Sequence, residues 1–213
     1  MSEQLVVRFE HNGHPVAGAF ASWGAYTCCA ATLTEDLLWA CEDHVRLSRR
    51  TGEDLACYRV LRMLRGLGCG FDDWDEERVR AEELERRFRG GTCDVYVFDP
   101  CLWTNVVCLT NRNTVEAFTP CANGTVTINL DRKTVRFDSW RHLERDEFEM
   151  DSEFKARHAR LIADFDPTGE MGWAEFHSKL LPMLTNKEAL AGGHFKYAIQ
   201  SGGLMLQKLF TPL

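Results

Sequence analysis

Two apolar runs separated by His11-Asn12-Gly13-His14 constrain this chain more than any other feature of its sequence. Asn-Gly suits the two left-handed positions of a tight hairpin turn, and such a turn sets the pairing of the strands on either side. Leu5-Val6-Val7-Arg8-Phe9 and the stretch from Pro15 to Trp23 therefore read as an antiparallel hairpin. Any fold open to this chain has to contain a sheet.

Further along, the apolar period lengthens to that of a helix. Thr34 can cap a helix with Glu35 and Asp36 in its first turn, which places Leu37, Leu38, Cys41 and Val45 on one face. Cys57, Val60, Leu61, Leu64 and Leu67 mark a second helix, ended by Gly66 and Gly68. Arg59, Arg62 and Arg65 line its other side, as a solvated face or as a contact for an acidic protein partner. From Asp75 to Arg89 acids and bases interleave, with Glu76/Arg80, Glu82/Arg86, Glu83/Arg87 and Glu85/Arg89 at i,i+4 spacing, the pattern of a solvated helix. Gly90-Gly91 breaks it. Val95 to Phe98, Asn105 to Leu109, Thr114 to Pro120, Thr125 to Leu130 and Thr134 to Phe137 then read as strands of a meander. From Ser139 the pattern is helical again. The expected class is α+β, with a body of mixed helix and antiparallel strand over residues 1–138 and a helical unit with a C-terminal tail over residues 139–213.

At 213 residues, with 45% hydrophobic and 27% charged side chains, the chain has ordinary globular composition and room for one domain with an appendage. A net charge of -7 argues against nucleic acid or an anionic membrane as the main partner, since an acidic field repels both. No stretch has the length and apolarity of a membrane span, and Met1 to Arg8 lack the pattern of a secretory signal. An intracellular, reducing compartment is expected. There the nine cysteines, an odd number, would be free thiols acting as small core residues.

The stretch from Asp164 to Phe176 carries the most specific chemistry. A calcium loop needs hard oxygen ligands at its first, third, fifth and twelfth positions, a glycine at the sixth and a backbone carbonyl at the seventh. Counting from Asp164 supplies Asp164, Asp166, Thr168, Gly169, the carbonyl of Glu170, and Glu175 as the bidentate last ligand. Met171 fills the apolar eighth position, and Phe176 follows the last acid. Phe154, His158, Leu161, Ile162 and Phe165 before the loop, and Phe176, Leu180, Met183 and Leu184 after it, recur at helical spacing. This segment resembles the EF-hand calcium-binding superfamily. The resemblance implies a helix–loop–helix over about residues 151–184, Ca2+ as the ligand, and a protein partner. A second frame, counted from Asp166, suits the incoming helix better, with Phe165, Ile162 and Leu161 at its apolar positions. It puts Met171 where glycine belongs and His177 where the last acid belongs. In a metal-free helix–loop–helix, Glu170 and Asp166 would cap the second helix. The family's loops work in pairs, and the sequence holds no second loop, so the apolar faces are expected to be completed by a partner or by the tail Leu204 to Phe210.

Two weaker arrangements remain. Cys28-Cys29 lies just before the helix expected at Thr34 and could supply a nucleophile, with Asp99 as orienting acid and His11, His14 or His44 as base. His11 with His14, and Cys41 with His44, have spacings zinc tolerates, although exposed histidines flanking an Asn-Gly turn are the simpler expectation. The leading expectation is a calcium-responsive or structural protein-binding protein. A metal-free accessory subunit of a larger assembly comes second and a cysteine hydrolase third.

Overall fold

In the computed structural model, residues 4–22, 27–71, 75–88, 106–139 and 169–178 are described. β1 (Leu5–His11) and β2 (His14–Ala21) pair antiparallel from Leu5↔Ala21 to His11↔His14. Asn12 and Gly13 take φ of 52° and 80°, the left-handed turn that the Asn-Gly pair favours. The hairpin is as the sequence predicts.

β4 (Gly124–Asn129) lies on the other side of β1 and runs parallel to it, from Leu5↔Gly124 to Glu10↔Asn129. β5 (Thr134–Ser139) returns antiparallel to β4, and β3 (Val106–Leu109) pairs antiparallel with β2. With β6 (Met171–Gly172) the order is β3-β2-β1-β4-β5-β6. Among the described residues the molecule is thus α+β with a six-stranded mixed sheet. Of the expected meander, the strand toward Leu109 is present as β3 and the β4–β5 hairpin stands, while Val95 to Phe98 lies outside the described residues. β3 sits beside β2, three strands from its neighbour in sequence, because β1 and β2 occupy the middle and β1 takes β4 as its parallel partner.

α1 (Thr27–His44) and α2 (Glu53–Gly66) cover one face of the sheet. Leu5, Val7 and Phe9 of β1 form one core with Leu37, Leu38 and Cys41 of α1 and Val60, Leu61 and Leu64 of α2. α2 begins after Gly52 with Glu53 and Asp54 in its first turn, where carboxylates favour the positive end of a helix. α1 starts about two turns before the cap expected at Thr34. Ala30 and Leu33 carry the buried stripe backward, so Thr34 is a buried interior residue. α3 (Asp75–Phe88) turns Ala81 and Leu84 inward and is tied to the start of α2 by Arg80 and Arg87, which both bind Asp54. The i,i+4 pairing expected for Arg80 gives way to Glu83 and Asp54.

The segment Thr114 to Pro120, expected as a strand, is instead α4 (Arg112–Phe118) followed by one 3-10 turn, Thr119–Cys121. Asn111 caps α4 by accepting from the Thr114 amide at 2.9 Å. α4 packs Val115 and Phe118 with Val6, Phe20 and Leu109 on the second face of the sheet. Gly18 permits that approach, since a Cβ there would stand 3.0 Å from both Val115 Cγ2 and the Val7 carbonyl oxygen.

His11 is fully buried, in contrast to the exposed turn histidine expected from sequence. Its Nδ1 lies 2.5 Å from Asp131 Oδ1 and its Nε2 is 2.9 Å from the carbonyl oxygen of Thr51. Asp131 Oδ2 also accepts from the Asn12 amide at 2.6 Å. One imidazole therefore joins the β1–β2 turn, the α1–α2 connection and the β4–β5 turn. Glu77 does similar work at the start of α4, accepting from the Thr110 amide and, at 3.0 Å, from Asn111 Nδ2.

His11→Ala leaves the Thr51 carbonyl and Asp131 Oδ1 without the imidazole and opens a void. The expected cost is about 2 kcal/mol, or roughly 4–8 °C in melting temperature for a chain of this size. Urea unfolding followed by circular dichroism measures it, and an unchanged midpoint would contradict the role given to this residue.

Candidate functional site

The described half of the acidic loop begins at Gly169. Asp164, Asp166 and Thr168, with the helix expected before them, lie outside the described residues, as do Leu180, Met183, Leu184 and the tail. Met171 and Gly172 pair antiparallel with Val135 and Thr134 as β6, and the chain turns helical at Trp173 through residue 178. Met171, Trp173 and Phe176 point into the core shared with α1 and α2, and Phe176 stacks on Phe137 at 5.8 Å between ring centroids. Glu170, Ala174 and Glu175 face outward, so the acid expected as last ligand stands exposed in the first turn of the helix.

The two frames give Met171 different places. Counted from Asp164, Met171 is the eighth residue, and an extended residue suits that place. Counted from Asp166 it would be the sixth, where the loop needs the sharp turn a glycine provides. His177, the last ligand in that second frame, is directed at the body: its Nδ1 is 2.5 Å from Glu35 Oε1 on α1. Trp39 Nε1 donates to the same oxygen at 3.0 Å, and the Trp39 and His177 rings lie 5.4 Å apart.

Glu170 does not cap the helix after it. Its carboxylate accepts from the Thr134 hydroxyl at 2.6 Å and from Arg132 at 3.1 Å. The Thr134 hydrogen bond first, and then Arg132, hold its carboxyl below the ordinary value. Trp173 completes the attachment. Its amide donates to the Lys133 carbonyl at 3.0 Å, its indole Nε1 to the Thr134 carbonyl at 3.1 Å, and the Lys133 ammonium lies 5.7 Å from its ring centroid. Arg132, Lys133, Thr134 and Trp173 carry no signal in the sequence that marks them as supports of this loop, except that a buried indole needs an acceptor.

Among the described residues the other candidates do not converge. His14 is exposed and His11 is engaged on both nitrogens. Asp99 and the side chains of Cys28 and Cys29 lie outside the described residues. Among the described residues no group of three or more His, Cys, Asp or Glu is arranged to hold a metal ion. No described helix is long and apolar enough to cross a membrane. Cys41, Cys57, Cys69 and Cys108 are buried free thiols, and Cys121 is exposed. Burial pushes the Cys57 thiol up to about 12, and Cys57 donates to the Thr110 carbonyl at 3.0 Å. Burial also raises Cys41, while Cys69 is raised by its hydrogen bond with Cys108 and by burial. These thiols are core groups held in the protonated form, the opposite of an activated nucleophile. No family model, curated protein or solved structure significantly matches the chain.

The raised value of Cys57 sets an alkaline limit. The folded state keeps the proton that the unfolded chain releases near pH 9, so this contribution to stability is full below pH 9 and is lost as pH rises toward 12. Urea midpoints at pH 8, 9 and 10 should fall progressively, and less steeply in Cys57→Ala. A slope unaffected by that substitution would show that Cys57 does not carry this effect.

Proposed function

We propose that this chain is a calcium-responsive binding protein, in which the loop from Asp164 to Glu175 holds the cation and the α+β body engages a protein partner. The observation that carries the reading is the placement of Met171 and Glu175: a short extended segment at the eighth position, a helix from Trp173, and an outward carboxylate at the twelfth. Asp164, Asp166 and Thr168 would supply side-chain oxygens, Glu170 its carbonyl, and Glu175 two carboxylate oxygens, a hard-oxygen set of the kind calcium takes. A bound calcium would relieve the repulsion among these acids and draw the two halves of the loop together.

A second reading, a metal-free structural subunit of a larger assembly, is favoured by the Glu170 contacts. Arg132 and Thr134 fasten the exit of the loop to the sheet with no cation in the account.

Calorimetry separates the two readings. A lone loop should bind more weakly than paired sensor loops, whose dissociation constants run ~10⁻⁷ to 10⁻⁵ M, and Glu175→Gln should abolish most of the heat. No heat at millimolar calcium, or the same isotherm in Glu175→Gln, would reject the calcium reading in favour of the structural one.

A further inference from the structure

The connection between α1 and α2 gathers positive charge in a chain whose net charge is -7. Arg46, Arg49 and Arg50 are all exposed there, and none of them has an ion pair with a described residue. Hydrogen bonds fix the backbone between them. The Thr51 amide donates to the Ser48 carbonyl at 2.9 Å, which makes Arg49 and Arg50 the two central residues of a β-turn. The Ser48 amide donates to the Thr51 hydroxyl at 2.9 Å, and the Thr51 carbonyl is held in turn by His11. Ser48 opens this turn and is itself exposed, with Arg46 two residues before it and Arg49 and Arg50 directly after it. Thr51 is buried and is no alternative acceptor. The exposed hydroxyl of Ser178 has an acid instead of arginines for its neighbour, since it donates to the Glu175 carbonyl at 2.8 Å.

We propose that Ser48 is a phosphorylation site, and that Arg46, Arg49 and Arg50 serve it twice, first by selecting a kinase with an acidic substrate cleft and afterwards by holding the phosphate. In the transfer the Ser48 hydroxyl oxygen attacks the γ-phosphorus of a nucleoside triphosphate bound to that kinase. The Oγ–P bond forms as the bond from this phosphorus to the oxygen of the β-phosphate breaks. The nucleoside diphosphate leaves, and the hydroxyl proton passes to a carboxylate of the kinase. The product carries a charge of about -1.5 to -2 at neutral pH. Guanidinium groups suit it because they donate paired, charge-assisted hydrogen bonds to phosphate oxygens. The modification therefore relieves the repulsion among the arginines and adds contacts to a turn already anchored through His11. It also changes what the surface offers, since a turn that attracts acidic segments loses most of its positive charge. The proposal is independent of the calcium reading.

The full chain tests this in three forms: wild type, Ser48→Ala and Arg46→Ala/Arg49→Ala/Arg50→Ala. Each is incubated with magnesium and ATP and a serine/threonine kinase that selects basic residues on both sides of its acceptor. Intact mass gives the stoichiometry, fragment spectra give the site, and circular dichroism confirms that all three are folded. Wild type should gain one phosphate, at Ser48, and Ser48→Ala none. The arginine variant should be modified at least ~10-fold more slowly, the scale on which charge steers association. Phosphorylated wild type should melt roughly 2–4 °C above the unmodified protein, and this rise should shrink in the arginine variant once it has been driven to the same stoichiometry. Folded wild type that takes no phosphate, Ser48→Ala that takes as much as wild type, or an arginine variant modified at the wild-type rate overturns the site. A melting temperature that is unchanged or lowered by the phosphate overturns the second role of the arginines.

Discussion

A strand with a parallel neighbour cannot reach it through a tight turn, because the chain has to travel back along the sheet before it can pair. β1 has such a neighbour in β4. Among the described residues between His11 and Gly124, β2 completes the hairpin and helices of the long return cover the sheet. α1 and α2 close one face over Leu5, Val7 and Phe9, and α4 closes part of the other over Val6, Phe20 and Leu109. His11, at the end of β1, ties the return at Thr51 to the β4–β5 turn at Asp131. Burial of this imidazole is tolerable because both nitrogens have partners.

The same arrangement decides what happens at the far edge. β4 turns directly into β5, which leaves β5 with one side for another strand, and β6 takes part of that side through Thr134 and Val135. A segment that reads in isolation as the exit of a helix–loop–helix thereby joins the sheet, and its apolar residues Met171, Trp173 and Phe176 find their core within the body. The proposed cation loop and the sheet are mechanically one piece at this point. The contact between His177 and Glu35 adds a second attachment, to α1.

How much of this was legible depended on the range of the interactions. Asn12-Gly13 is a local instruction, and the hairpin follows it. α2 is also local, with acids at its start, glycines at its end and one apolar face. β4 and β5 were readable as strands, but parallel pairing of β4 with β1 joins residues more than a hundred positions apart and leaves no local mark. Thr114 to Phe118 misled because β-branched and aromatic residues suit strands as well as short helices; the decisive signal was the cap at Asn111, whose side chain reaches the Thr114 amide. Thr34 looked like a helix start, yet Ala30 and Leu33 already belong to the stripe it seemed to open. In the acidic segment the spacing of the acids was legible. The pairing of Met171 and Gly172 with Val135 and Thr134 was not, because a contact between segments so far apart in sequence leaves no local mark.

The account stands on the attachment of β6 to β5, and hydrogen exchange measured on peptides tests it most directly. As urea is raised, peptides covering residues 132–137 and residues 169–178 should lose protection together, because the two segments share one ladder and open as a unit. If residues 169–178 lost protection at lower urea while residues 132–137 stayed protected, the segment would not be coupled to the sheet and the attachment would be contradicted.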